Sequence, residues 1–263
     1  FLNAGVAEQN MTGLAAGLAS EGYKVFTYSI GNFNTFRCAE QIRNDIDYHK
    51  FNVTIVSVGG GLSYGSLGYS HHLIQDYSLM RSLPNMTIIS PADCGETSKA
   101  VFAAAKYNRP VYIRLTGGTN NEIVYKNNYD FEIGKAIKIL SGEGVALVCT
   151  GTMVAKAINA SKQLNQHNIY PSVYNFHTIK PIDQKTLNNI CKKYKLIITI
   201  EEHNIIGGLG SAVSEIIVQD ESNIKQIFMG VKDNYLISGD YETILNKTGL
   251  NEDQIFKEVK NNI

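Results

Sequence analysis

The sequence has no surplus of either charge. Its 24 Lys and Arg residues stand against 24 Asp and Glu residues, so no global field draws it towards nucleic acid or an anionic membrane surface. It has few cysteines and no closely spaced pair of them. Cys38, Cys94, Cys149 and Cys191 are scattered, which predicts reduced thiols used for packing and argues against a disulfide frame or a zinc site. No stretch approaches the roughly 20 consecutive apolar residues that a bilayer-spanning helix requires. The start also lacks a basic segment followed by an apolar one, so no secretory leader is predicted and a cytoplasmic protein is expected. Short internal repeats and low-complexity tracts are absent too, which argues against solenoid architectures.

What is present is a globular composition. At 263 residues and 44% hydrophobic content, the chain can fill cores for two ordinary domains. β-rich runs alternate with helical periodicity throughout, the pattern of βαβ units and mainly parallel sheets. The first half predicts a strand-like start at Phe1, a helix from about Glu8 to Gly22, a strand near Lys24 to Tyr28, a helix near Thr35 to Tyr48 and a strand near Asn52 to Val58. A glycine-rich loop follows, then a helical stretch ending near Pro84, a strand from Met86 to Ile89, a helix from Glu96 to Tyr107 and a strand from Val111 to Leu115. Between Thr116 and Gly142 the composition turns to that of a linker (Gly117, Gly118, Asn120, Asn121, Asn127, Asn128), and the domain boundary is set there. A second series of strands (Val145 to Thr150, Ser172 to Phe176, Leu196 to Glu201, Gln226 to Val231) alternates with helices at Met153 to Gln166, Asp183 to Lys193, Leu209 to Gln219 and from about Glu252. The expected fold class is α/β, with two doubly wound domains spanning 1–125 and 126–263.

Glu8 and Gln9 fall in the first turn of the first helix, at a sheet edge of the kind where ligands bind. On that fact alone the carboxylate either complements the helix dipole or takes part in chemistry. The wider stretch Asn3-Ala4-Gly5-Val6-Ala7-Glu8-Gln9-Asn10-Met11, with Gly13, Ala15 and Gly17 behind it, resembles the pyrimidine-domain motif of transketolases and deoxyxylulose phosphate synthases. The resemblance implies that Glu8 hydrogen-bonds the aminopyrimidine ring of thiamine diphosphate and so switches on the cofactor's own base. Burial of such a carboxyl is expected to raise its pKa. Tyr28-Ser29-Ile30-Gly31-Asn32-Phe33-Asn34-Thr35-Phe36-Arg37 is similar to the family segment that puts aromatic rings around the pyrimidine. Phe33 matches the stacking position best, with Phe36 and Tyr28 as further cofactor contacts and Arg37 as a candidate substrate contact. A stacked ring contributes about 0.5–1.5 kcal/mol beyond area burial and fixes orientation. Val58 to His72 takes the place of the family's glycine-rich loop. There His71 matches the histidine that faces substrate and assists proton transfer, a role suited to an imidazole, whose ordinary pKa is about 6.5. His72 joins it as a candidate substrate contact. Leu83-Pro84-Asn85-Met86 and Ser90-Pro91-Ala92-Asp93 match further landmarks.

In the second half, Phe176-His177-Thr178-Ile179-Lys180-Pro181-Ile182-Asp183, Glu201-Glu202-His203 and Gly207-Gly208-Leu209-Gly210-Ser211 resemble the transketolase C-terminal domain, which in that family is mainly structural. The glycine turn before a helix offers backbone amides to an anion. Two positions depart from the family. Leu67 stands where an acidic residue precedes the histidine. Glycine in Arg114-Leu115-Thr116-Gly117-Gly118 stands where the family has a phosphate-binding arginine, which leaves Arg114, in the strand, as a candidate substrate contact. The family's Gly-Asp-Gly segment for the diphosphate and its metal is missing: Asp45, Asp47 and Asp76 lack the surrounding glycines, so no metal ligand is assigned to this chain. The family pattern also places a strand and a helix ahead of Phe1. The resemblance therefore implies ketol transfer between sugars with thiamine diphosphate and Mg2+, performed with an N-terminal diphosphate-binding half in a homodimer or heterotetramer. The alternatives are a decarboxylating thiamine enzyme, like deoxyxylulose phosphate synthase or a 2-oxo acid dehydrogenase beta subunit, and a non-catalytic partner subunit. Asn10-Met11 and Ile42-Arg43-Asn44-Asp45 look more like split transketolases.

Overall fold

A computed structural model describes residues 1–117, 122–219 and 222–263. Gly118, Asn120 and Asn121 of the linker composition lie outside the described residues. In the first half, β1 (Val25–Ile30), β2 (Val53–Val58), β3 (Thr87–Ile89) and β4 (Val111–Leu115) lie parallel in the order β1-β2-β4-β3. The helical segments are α1 (Glu8–Ser20), α2 (Gly31–Asn34), α3 (Ala39–Gln41), α4 (Asp76–Arg81) and α5 (Cys94–Tyr107). Because strand side chains alternate between faces, the sheet feeds two cores. Val53, Ile55, Ile88 and Tyr112 pack with Ala15, Ala16 and Ala19 of α1 and Tyr77 and Met80 of α4, while Ile89, Val111 and Ile113 pack with Ala100 and Ala104 of α5. The Asp93 carboxylate caps α5 by accepting from the Glu96 amide at 2.7 Å.

The second sheet takes β5 (Ile137–Leu140), β6 (Val145–Cys149), β7 (Ser172–Asn175), β9 (Leu196–Asn204) and β10 (Lys225–Val231) in the order β10-β9-β6-β7-β5, with β5 antiparallel. Here too the faces separate. Val145, Leu147 and Cys149 pack with α6 (Met153–Asn165), α9 (Tyr241–Thr248) and α10 (Glu252–Asn262), whereas Ala146 and Val148 pack with α7 (Gln184–Lys193) and α8 (Leu209–Gln219). Helices on both faces of a mainly parallel sheet make each half an α/β layer of the doubly wound kind.

Besides β5, which forms inside the stretch read as linker, and α9, which the sequence reading lacks, three features differ from that reading. No strand forms at Phe1: residues 1–7 have no regular structure, and Phe1, Leu2 and Val6 are exposed. The helix expected from Thr35 to Tyr48 is broken into a tight turn (Phe36–Cys38), α3 and a wide π-helical turn (Ile42–Asp47). Thr35, between α2 and this segment, has φ −119° and ψ −78°, and its hydroxyl donates to the Gly31 carbonyl at 2.7 Å. The third is β8 (Thr178–Lys180), which leaves the second half and pairs antiparallel with β3, so that the two halves share one sheet.

The halves are also tied by a buried cation. Arg114, on β4, pairs with Asp76 at 3.1 Å, donates through Nη1 to the Tyr77 hydroxyl at 2.8 Å and through Nη2 to the carbonyls of Leu73 and of Glu202, the latter at 2.9 Å. Its guanidinium lies 4.4 Å from the Tyr77 ring centroid. Burial pushes the Asp76 carboxyl up, and Arg114 opposes that rise. Removing one partner of such a pair strands the other charge in the interior. Arg114→Met is expected to destabilise the chain by about 3–5 kcal/mol in urea unfolding, and the double variant with Asp76→Asn to recover part of that loss.

Candidate active site at the end of the first sheet

The site is assembled where β1 and β2 end. Glu8 opens α1 and is 7% exposed. Its Oε2 accepts from Arg37 Nη1 at 2.6 Å and its Oε1 from the Ser29 hydroxyl, at the end of β1, at 3.3 Å. Burial pushes the Glu8 carboxyl up, but its own backbone N–H, the hydrogen bond and charge of Arg37, and Ser29 outweigh that and leave it below the ordinary carboxylate range. The expected rise is thus reversed, by the backbone N–H at the helix start first and then by a guanidinium 29 positions along the chain.

Phe33, on α2, lies beneath that guanidinium, with Arg37 Cζ 4.4 Å from its ring centroid. The His71 ring stands edge-on to Phe33 at 5.3 Å, and Tyr64 stands edge-on to His71 at 6.3 Å. His71 Nδ1 is 3.0 Å from the Ser70 hydroxyl. Asn32 fastens the histidine loop to α2, its side-chain N–H groups donating to the carbonyls of Ser70 at 2.9 Å and His72 at 3.0 Å. Glu8, Ser29, Phe33, Arg37, Tyr64 and His71 therefore form one continuous cluster.

Glycines let the loop adopt this shape. Gly59 has φ +89°, and a Cβ there would stand 2.2 Å from the Tyr64 ring. Gly61 has φ +66°, and its Cβ would meet Glu202 Oε1 at 2.3 Å. The second half holds the loop from below: Glu202 accepts from the Leu62 amide at 2.6 Å, the Thr152 hydroxyl at 2.7 Å and the Tyr241 hydroxyl at 2.9 Å. Glu201 fills the anion position at the glycine turn, accepting from the amides of Leu209 at 2.7 Å and Gly210 at 2.8 Å. Burial pushes its carboxyl up to about 7 in spite of those amides. Neighbouring His203 is neutral, burial and the Arg114 charge lowering it to about 3. Its Nε2 accepts from the Tyr77 amide at 3.2 Å, so Nδ1 carries the proton donated to the Asn204 carbonyl at 2.7 Å. Backbone amides at the turn offered as an anion site are thus already used within the chain.

Not every candidate reaches the cluster. Tyr28 is 64% exposed and, by strand alternation, points away from the Ser29 side of β1. It lines a depression of about 450 Å³ with Phe26, Leu14 and the segment from Phe1 to Gly5. Phe36 is 48% exposed and makes no ring contact with Phe33 or His71. His72 is buried, its Nε2 3.2 Å from the Gly65 carbonyl inside the loop. Arg114 is spent on the seam between the halves, where it cannot meet a substrate phosphate. Conversely, Ser29, Asn32 and Tyr64 belong to the cluster although no motif singles them out. Ser29 is legible in principle, since alternation puts it opposite Tyr28. Among the described residues no three His, Cys, Asp or Glu side chains converge to hold a metal ion, and no helix is long and apolar enough to cross a membrane.

The profile of the transketolase pyrimidine binding domain matches residues 1–120, and that of the transketolase C-terminal domain matches residues 134–255. A Methanocaldococcus jannaschii protein named for a transketolase C-terminal section is 40% identical over 98% of this chain and 81% of its own length. An apulose-4-phosphate transketolase subunit of Phocaeicola vulgatus is 33% identical over 98% of this chain and 82% of its own. A split-gene transketolase solved as an inactive beta4 tetramer superimposes with a TM-score of 0.89 at 37% identity, over 99% of this chain and 83% of that one. The chain belongs to the transketolase family, of which it carries the pyrimidine-binding and C-terminal domains.

The ionisation of Glu8 offers a direct check. Arg37→Met removes the charge and hydrogen bond that hold the carboxyl down while burial remains, so the Glu8 pKa should rise in a carbon-13 NMR titration of the side-chain carboxyl. The sign follows from linkage: a carboxyl depressed in the folded state adds stability above its unfolded pKa and loses it as pH falls through the folded pKa. That acid-side loss should shrink in the variant.

Proposed function

We propose that this chain is the pyrimidine-binding half of a thiamine diphosphate-dependent transketolase, transferring a two-carbon ketol unit from a ketose to an aldose together with a separate diphosphate-binding half. The observation that carries this reading is the placement of Glu8, the Phe33 ring and His71 side by side on one face. The residues fit an aminopyrimidine: Arg37, a flat cation, already lies on Phe33 while donating an N–H to Glu8, the two contacts such a ring needs. When bound, thiamine diphosphate would supply the electron sink for breaking and remaking a carbon–carbon bond beside a carbonyl. Glu8 would hold a proton between its Oε2 and the ring nitrogen, and Phe33 would fix the ring's plane. His71, steadied by Ser70, Phe33 and Tyr64, would exchange protons with substrate oxygens.

Several observations support a partner. Mg2+ and the diphosphate are assigned to that partner, because Asp45, Asp47 and Asp76 lack the glycines of the family's Gly-Asp-Gly segment. Relatives named as a transketolase C-terminal section and as a transketolase subunit are, by those names, parts of larger enzymes. With Arg114 committed internally and glycine at the family's arginine position, either the acceptor carries no phosphate or the partner supplies the charge that recognises it. The working particle is a homodimer of joined halves or a heterotetramer, acting on sugars in the cytoplasm, with no role in nucleic-acid binding.

Deoxyxylulose phosphate synthases are the runner-up. The one from Caldanaerobacter subterraneus subsp. tengcongensis is 34% identical, but this chain spans 41% of its length. Mixed with its diphosphate-binding half, the chain should transfer a two-carbon unit between sugars. Glu8→Gln should reduce that rate roughly 10²- to 10⁴-fold with unchanged circular dichroism. Turnover of pyruvate without an aldose would establish the decarboxylating reading instead, and an unaffected Glu8→Gln rate would overturn the role of Glu8.

A further inference from the structure

We propose that Arg37 is a placeholder for the aminopyrimidine: its guanidinium occupies the face of Phe33 and the carboxylate of Glu8, and it swings aside when the cofactor enters. The inference rests on the function proposed above. It goes further in giving the unloaded half a defined resting state and in making a residue of this chain compete with its own ligand.

The geometry points to substitution. A guanidinium is planar and cationic, and its N–H groups lie in the plane. Here its Cζ stands over the Phe33 ring, 4.4 Å from the centroid, and one N–H reaches Glu8 Oε2 at 2.6 Å. A heterocycle stacked on Phe33 with an N–H directed at Glu8 would need the same space and the same oxygen, so the two cannot be held together. The pair is also unequal in freedom. The Arg37 side chain is 43% exposed, whereas that of Glu8 is 8% exposed and held by Ser29 as well. Arg37 is therefore the member that can leave, on a flexible stem, towards solvent and towards the exposed Glu40 three residues on. The exchange leaves no buried charge stranded, because the incoming N–H takes over the Glu8 oxygen as Arg37 gives it up. Without Arg37 the buried Glu8 carboxylate would keep one side-chain donor, the Ser29 hydroxyl at 3.3 Å. Arg37 thus opposes cofactor binding by the strength of two modest contacts.

The test is calorimetric titration of thiamine diphosphate and magnesium into the complex of this chain with its diphosphate-binding half. Arg37→Met keeps the stem over Phe33 and removes the competing N–H, and it should bind roughly five- to tenfold more tightly than wild type. Arg37→Lys retains a charge without the planar fork and should fall between the two, which preserves the test if the Met variant folds poorly. In wild type, nitrogen-15 NMR should show the Arg37 side-chain N–H signals protected in the unloaded complex and released to rapid exchange on titration. Weaker or unchanged binding by Arg37→Met, with Glu8→Gln weakening binding as expected, would overturn the placeholder and leave the pyrimidine site standing. Binding that is absent in wild type, or indifferent to Glu8→Gln, would remove the pyrimidine reading and this inference with it.

Discussion

Arg114 reaches from β4 into the seam between the two halves, where it is buried away from bulk solvent. A buried guanidinium has to be neutralised and its N–H groups satisfied, so Asp76, the Tyr77 hydroxyl, the Leu73 carbonyl and the Glu202 carbonyl all converge on it. Those contacts set the position of Glu202, and the Glu202 side chain in turn accepts from the Leu62 amide in the glycine loop. The loop carries His71 to the edge of Phe33. Arg114 is thus linked through Glu202 to the loop that carries His71, and the second half packs against that loop.

Much of the fold could be read from pattern. Apolar runs such as Val145 to Cys149 and Leu196 to Ile200 are buried on both faces, as parallel strands flanked by helices must be. What escaped was set by partners distant in sequence. β8 is three residues long and finds its partner in β3, a pairing no local pattern encodes. The interruptions between Thr35 and Asp47 are changes of helical turn type that apolar periodicity does not reveal. At the site, motif order names Glu8, Phe33 and His71, which the fold brings side by side, whereas Tyr28, named with them, lies on the face of β1 opposite Ser29. Similarly, His71 and His72 are adjacent in sequence, yet one meets Phe33 and the other is enclosed by its own loop.

The sequence-based expectation for Glu8 failed on magnitude rather than on chemistry. Burial does raise its carboxyl, but that effect is smaller than the combined hydrogen bonds and charge opposing it. Arg37 supplies much of the opposition, and it does so while covering Phe33. The same pair thus explains why the carboxylate is ionised in the unloaded chain and what a flat N–H donor would have to replace. The function proposed above assigns the diphosphate and the metal to a second half, and completion by that half is the central feature of the account.

That feature is tested most directly by titrating thiamine diphosphate and magnesium into this chain alone, and then into an equimolar mixture with its diphosphate-binding half, by calorimetry. The account predicts negligible heat with the chain alone and saturable binding in the mixture. Full-affinity binding to the isolated chain, or no binding in the mixture, would contradict it.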